Sequence, residues 1–117
     1  MDEWETKVAQ IKKAWGAKQI TGMVLDLRDN PGGYLESSVY LAGEFLSKGK
    51  LVVKQESKVL GDKEYNVMRT GLLLDIPLVV LVNKGSASAA EILSGALRDH
   101  KRARLIGEKT FGKGSGG

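Results

Sequence analysis

The sequence predicts an α/β domain with a mainly parallel sheet flanked by helices. Two observations carry that class. Apolar runs at 23–27 and 78–82 are each followed by a short break of small residues and then by a helical stripe, and strand–loop–helix units of this kind build parallel sheets through right-handed crossovers. At 117 residues, 42% of them hydrophobic, the chain can also bury one core covering roughly two thirds of its unfolded surface, but not two. Residues 1–117 are therefore read as a single domain.

Trp4, Val8, Ile11 and Trp15 recur at helical spacing, so residues 3–19 are expected to form an amphipathic helix that frays near Gly16. Met23-Val24-Leu25-Asp26-Leu27 follows as a strand apolar enough to be covered on both faces. Asn30-Pro31-Gly32-Gly33 breaks the pattern, and Leu35, Val39, Ala42 and Leu46 restore a helical stripe to about residue 47. Residues 50–56 and 64–69 read as strands around the turn Gly61-Asp62, an exposed hairpin. Pro77 opens the most hydrophobic strand, Leu78-Val79-Val80-Leu81-Val82, after which a helix over 88–99 buries Ala89, Ile92, Leu93, Ala96 and Leu97. Arg104-Leu105-Ile106 is the last strand, and Gly107 to Gly117 is glycine-rich loop or tail.

Composition excludes several classes of function. With no cysteine and one histidine, His100, thiolate metal sites, disulfide scaffolds and the usual zinc ligand sets are out of reach. The net charge of +4 is dispersed, without aromatic residues among the lysines and arginines, which is a solvated surface and not a nucleic-acid platform. No apolar run approaches the ~20 residues that cross a bilayer, and the start lacks a secretion signal. The 15 glycines fall at the ends of periodic segments, which places them in tight turns.

Parallel strands send every outgoing loop to one edge of the sheet. Three unusual segments each follow a strand: Asn30 to Gly33, Gly85 to Ser88, and Lys109 to Lys113. All three are expected to converge at the carboxyl edge. Ser88 opens the second helix of that set, and Ser88-Ala89-Ala90-Glu91 fits a capping box as well as an active serine. A helix start also supplies unpaired N–H groups suited to a developing oxyanion, from Ala89 and from Gly32 or Gly33. His100 stands about 18 Å along the helix at 1.5 Å per residue, so it cannot serve Ser88 as a base. The remaining base on that edge is Lys109 or Lys113, whose amine must lose roughly three pKa units from ~10.4, a cost of about 4 kcal/mol.

Two other readings weigh less. Gly107 to Lys113 satisfies seven positions of a phosphate-binding loop, but the eighth is Gly114 and no helix follows. Asp26, Asp29 and Glu36 crowd the Pro31 loop, yet Asp26 alternates to the opposite face from its strand neighbours. Neither a metal nor any other cofactor is implied.

Taken together, Gly22 to Gly33, Val82 to Ile92 and Gly107 to Gly114 resemble the carboxyl-terminal processing proteases, or tail-specific proteases, in order and spacing over about residues 20–115. The resemblance implies a ClpP-like or crotonase-like core, a serine endopeptidase with a Ser-Lys dyad, and protein substrates cut near unstructured carboxyl termini. By motif position it makes Ser88 the nucleophile, Lys113 the general base, and Ala89 with Gly32 and Gly33 the oxyanion donors. Asp99 matches a further position that matters in the family. The glutamine that the family places four residues after the lysine falls on Gly117, and Gly114-Ser115-Gly116-Gly117 is similar to a linker or scar. The chain is thus expected to be the excised core, truncated at its C-terminus, without the upstream PDZ domain and inactive by itself. Exposed edges would then favour self-association. Relatives suggest a periplasmic, extracytoplasmic or membrane-associated setting in a bacterium. The alternatives are a peptide-binding scaffold of the same fold, or an acyl-thioester enzyme on a similar one.

Overall fold

The computed structural model describes residues 2–30 and 33–107. In chain order the elements are α1 (Asp2–Gly16), β1 (Met23–Asp26), α2 (Leu35–Phe45), β2 (Leu51–Gln55), β3 (Lys63–Asn66), β4 (Leu78–Val82), α3 (Ala89–Asp99) and β5 (Ala103–Gly107). The expected pattern of alternating elements is present.

β1, β4 and β5 form one sheet in that order, parallel throughout, with β4 in the middle. Its central place explains its composition, since β4 is hydrogen-bonded on both edges and its side chains run Leu78, Val80 and Val82 into the core. Met23, Leu25, Ala103 and Leu105 share that face across the register and pack against the same core. From the helices come Val8 of α1, Ala42 and Phe45 of α2, and Leu93, Ala96 and Leu97 of α3. Leu97 and Ala42 have no exposed surface at all.

The sheet's other face corrects one expectation. Among the described residues β1 is covered on one face only: Val24 is 59% exposed, and Ile106, on the same face of the sheet in β5, is 47% exposed. Val24, Val79 and Arg104 lie in one register row, and Asp26, Leu81 and Ile106 in the next. No helix among the described residues lies across them, because α2 and α3 pack together on the core side. An apolar strand is therefore not enough to establish two-sided cover, which depends on what the rest of a protein brings.

The hairpin departs from expectation in a second way. β2 and β3 pair antiparallel, with a register shift between Leu51 and Val53, but β3 ends at Asn66 instead of running to 69. Nor is the hairpin simply exposed. Val52 and Val67 are buried in the core cluster, and the His100 ring at the end of α3 lies 2.6 Å from the Leu51 carbonyl. The segment after β3 is drawn away from the sheet by Glu44, which α2 holds in the interior. That carboxylate accepts from the Leu72 N–H at 2.8 Å, from Arg69 Nη2 at 3.0 Å and from Trp4 Nε1 at 3.1 Å. One side chain so joins α1, α2 and the connection to β4.

Candidate functional site

The parallel register brings the carboxyl ends of the three strands to one edge: Asp26 stands beside Leu81 and Leu81 beside Ile106, while Val82 stands beside Gly107. The loops after β1 and β4 leave there together, as expected of two of the three converging segments. The third, from Lys109 to Lys113, lies outside the described residues, but β5 delivers the chain to that edge at Gly107.

The two described loops are sewn to each other by short polar groups. Ser86 is fully buried, donates to the Leu27 carbonyl at 2.6 Å and accepts from the Asn83 N–H at 3.1 Å. Asn83 Oδ1 accepts from the N–H groups of Asp29 and Gly85, each at 2.9 Å. Its amide nitrogen donates to Asp29 Oδ1 at 3.0 Å, and the Ala87 N–H donates to the Asn30 carbonyl at 3.0 Å. Gly85 sits against this clasp so closely that a Cβ there would lie 2.8 Å from Asp29 Oδ1 and 2.9 Å from its Cα. Only glycine lets the backbones approach this far.

Ser88 follows at the junction of β4 and α3 with φ 54° and ψ −121°. This is a strained conformation for a residue with a side chain, of the order of 1–3 kcal/mol, and it persists only where the surroundings hold it. They do so here: the Glu91 carboxylate accepts from the Ser88 N–H at 3.2 Å, and the Ser88 carbonyl accepts from the Glu91 and Ile92 N–H groups. The capping-box arrangement expected from the spacing is in place, and it coexists with the sharp turn. A serine on such a turn between a buried strand and a helix is in the setting that presents a nucleophile at a sheet edge. Asp29, across the clasp, also has a positive φ of 58°. The two facing loops thus each hold a residue with a side chain at positive φ.

Among the described residues, nothing accepts the Ala89 N–H at the first position of α3, one of the unpaired donors of a helix start. Gly33 is exposed, with open space around it, immediately before Tyr34 at the start of α2. Gly32 and Lys113 lie outside the described residues. His100 caps the opposite end of α3, away from Ser88. Asp99 is also at that end, in a partly exposed pair with Arg98 at 3.2 Å.

Asp26 and Asp29, two of the three carboxylates near the Pro31 loop, are drawn to different partners. Asp26 is chelated by the Arg28 side chain at 2.9 and 2.8 Å and accepts its N–H as well. Those hydrogen bonds hold its pKa down to about 2, so it stays ionised and cannot relay protons near neutral pH. Asp29 belongs to the clasp. The sequence by itself assigns no role to Asn83 or Ser86; the available signal is two small polar residues directly after the most hydrophobic strand, where backbone groups leaving the sheet need partners.

A groove of about 490 Å³ opens beside Ser88 between α3 and β2. Its floor includes Ile92, Gly95 and Ala96, and its opposite wall Leu51 and Val53.

A family model described as peptidase family S41 matches residues 1–117. The chain is 41% identical over 116 residues to a carboxy-terminal-processing protease of Bartonella bacilliformis, covering 95% of this chain and 26% of that protein. It is 48% identical over 93 residues to a carboxyl-terminal-processing protease of a Synechocystis species, covering 80% and 21%. The solved photosystem II D1 C-terminal processing protease superposes with a TM-score of 0.74 at 36% identity, over 92% of this chain and 28% of that one. The chain spans about a quarter of the length of these relatives.

Proposed function

The chain belongs to peptidase family S41, and from that premise we propose that it is the serine endopeptidase core of a protease that cuts protein substrates near their carboxyl termini. The observation that carries this reading is the strained turn at Ser88, held at the carboxyl edge of the sheet beside the Ala89 N–H, which no described residue accepts.

Lys113, six residues after the end of β5 in the sequence, is the general base. Its neutral amine takes the Ser88 hydroxyl proton as Oγ bonds to the peptide carbonyl carbon, and the carbonyl oxygen becomes an oxyanion. The Ala89 N–H and the amides of the Gly32-Gly33 turn stabilise that charge. Collapse expels the amine half of the substrate, which receives the proton from the lysine. Water then attacks the acyl-enzyme, giving its proton to the lysine, and releases the carboxylate with regeneration of the serine. The scheme needs no cofactor. The reading also takes in self-association through the outer edges of β1 and β5, which no strand covers among the described residues.

Fluorophosphonate labelling tests the nucleophile in the full-length protein that carries this sequence. Wild type is expected to label and Ser88→Ala not to; labelling of neither, at any pH from 6 to 10, would favour a scaffold that binds peptides without cutting them. Lys113→Ala is expected to lower cleavage at least a thousandfold while leaving peptide binding in place.

A further inference from the structure

The groove between α3 and β2 invites a more specific assignment, which rests on Ser88 being the nucleophile. Ser88, Ile92, Gly95 and Asp99 follow one another at helical spacing and line it together, so one end opens at the serine and the other at the Arg98–Asp99 pair. Its volume of about 490 Å³ falls within the range of ligand pockets. Its middle is aliphatic, with Ile92 and Ala96 on α3 facing Leu51, Val52 and Val53 on β2, while Glu91 beside the serine and Lys54 are charged members. The His100–Leu51 contact at 2.6 Å ties strand to helix at the far end and so holds the walls together.

Gly95 is the telling residue. It lies in the interior of α3, where glycine is the least favourable residue after proline. Close packing does not require it, since a Cβ built there meets nothing within 4 Å. Nor does its backbone conformation, since its φ is not positive. The space that a side chain would occupy is groove.

We infer that this groove receives an apolar side chain of the substrate peptide next to the scissile bond, and that Gly95 sets the size it accepts. An extended peptide whose carbonyl lies at Ser88 Oγ extends a flanking side chain over Ile92 toward Gly95, which lies about 10 Å along the helix, and a side chain at 95 would lean back toward it. A side chain at 95 then competes with it for the same volume. Gly95 acts as a specificity-determining residue, separate from the residues that carry the bond-breaking steps.

The test uses the full-length protein and peptides that carry Ala, Leu or Phe on either side of the cut. Gly95→Leu is expected to lower the kcat/KM ratio of Leu over Ala peptides at least tenfold relative to wild type. Gly95→Ala, which improves the helix, is expected to act in the same direction on Phe peptides alone. An equal loss for all three peptides, or none, in a variant with an unchanged melting profile would overturn the assignment. Wild-type labelling by the fluorophosphonate, lost in Ser88→Ala, reports separately on the nucleophile. Should labelling be absent, anisotropy of labelled Leu and Ala peptides decides alone: preferential binding of Leu that Gly95→Leu abolishes supports the groove, and equal binding refutes it.

Discussion

Ser88 sits in a strained turn directly after the clasp of Asp29, Asn83 and Ser86, so substitutions in the clasp are expected to act on both stability and reactivity. Ser86→Ala removes a buried hydroxyl and leaves the Leu27 carbonyl and Asn83 N–H without it; the expected loss is about 1–3 kcal/mol, measured by urea denaturation. Gly85→Ala forces a Cβ to within 2.9 Å of the Asp29 backbone, and the loops must part by some tenths of an ångström, at an expected cost of about 1–3 kcal/mol. Fluorophosphonate labelling of Ser88 is expected to slow in both variants, because the strain is no longer opposed. Glu44 gives the residue scale its pH dependence. Burial penalises its charge, but hydrogen bonds from Arg69, Leu72 and Trp4 outweigh that and lower its pKa below 4.5. A group with a depressed folded pKa contributes stability above its unfolded value, and the contribution fades as pH falls through the folded one. Wild type is therefore expected to lose stability below about pH 4.5 more steeply than Glu44→Gln, followed by thermal melts from pH 7 to 3. At neutral pH, Glu44→Ala is expected to cost about 2–3 kcal/mol, since the Arg69 guanidinium loses its charged acceptor. Ser88 was legible in the sequence because strand, small-residue turn and helical stripe follow in order. Its clasp was not, because Asn83 and Asp29 are 54 residues apart and only the sheet makes them neighbours.

At the level of elements, the register of β4 between β1 and β5 determines which loops meet. Its hydrophobicity marked it as the most apolar strand, yet nothing in it named its neighbours or its central place. β5 is the element on which the proposed base depends, and it is anchored at its start by Arg102. That side chain donates to the Phe45 carbonyl at 2.8 Å and to the Leu73 carbonyl at 2.7 Å. Arg102→Met keeps much of the stem but leaves both carbonyls wanting, so about 1–3 kcal/mol is expected to be lost. Hydrogen exchange should localise the loosening to residues 103–107, with α1 unchanged. The hairpin shows the limits of pattern reading in another way. Alternation located β2, but Val52 and Val67 bury themselves because α3 and α2 happen to lie beneath them.

Among the described residues, burial of the sheet is one-sided. Leu97→Ala opens a cavity where the side chain is fully covered and is expected to cost about 2–5 kcal/mol. Val24→Lys, on the open face of the sheet, is expected to change stability by no more than about 0.5 kcal/mol. Chemical denaturation compares the two, and a large effect at Val24 would mean that something covers that face. The amino-acid sequence by itself determined the alternating elements, the single core and the place of Ser88 at a helix entrance, because these follow from local periodicity and from which residues begin helices. Only the tertiary structure decided that β4 divides β1 from β5, that Asn83 and Ser86 lock two distant loops, and that the described residues leave one sheet face open. Each of those depends on pairings between segments far apart in the chain, whose energies arise from geometry that no local pattern contains.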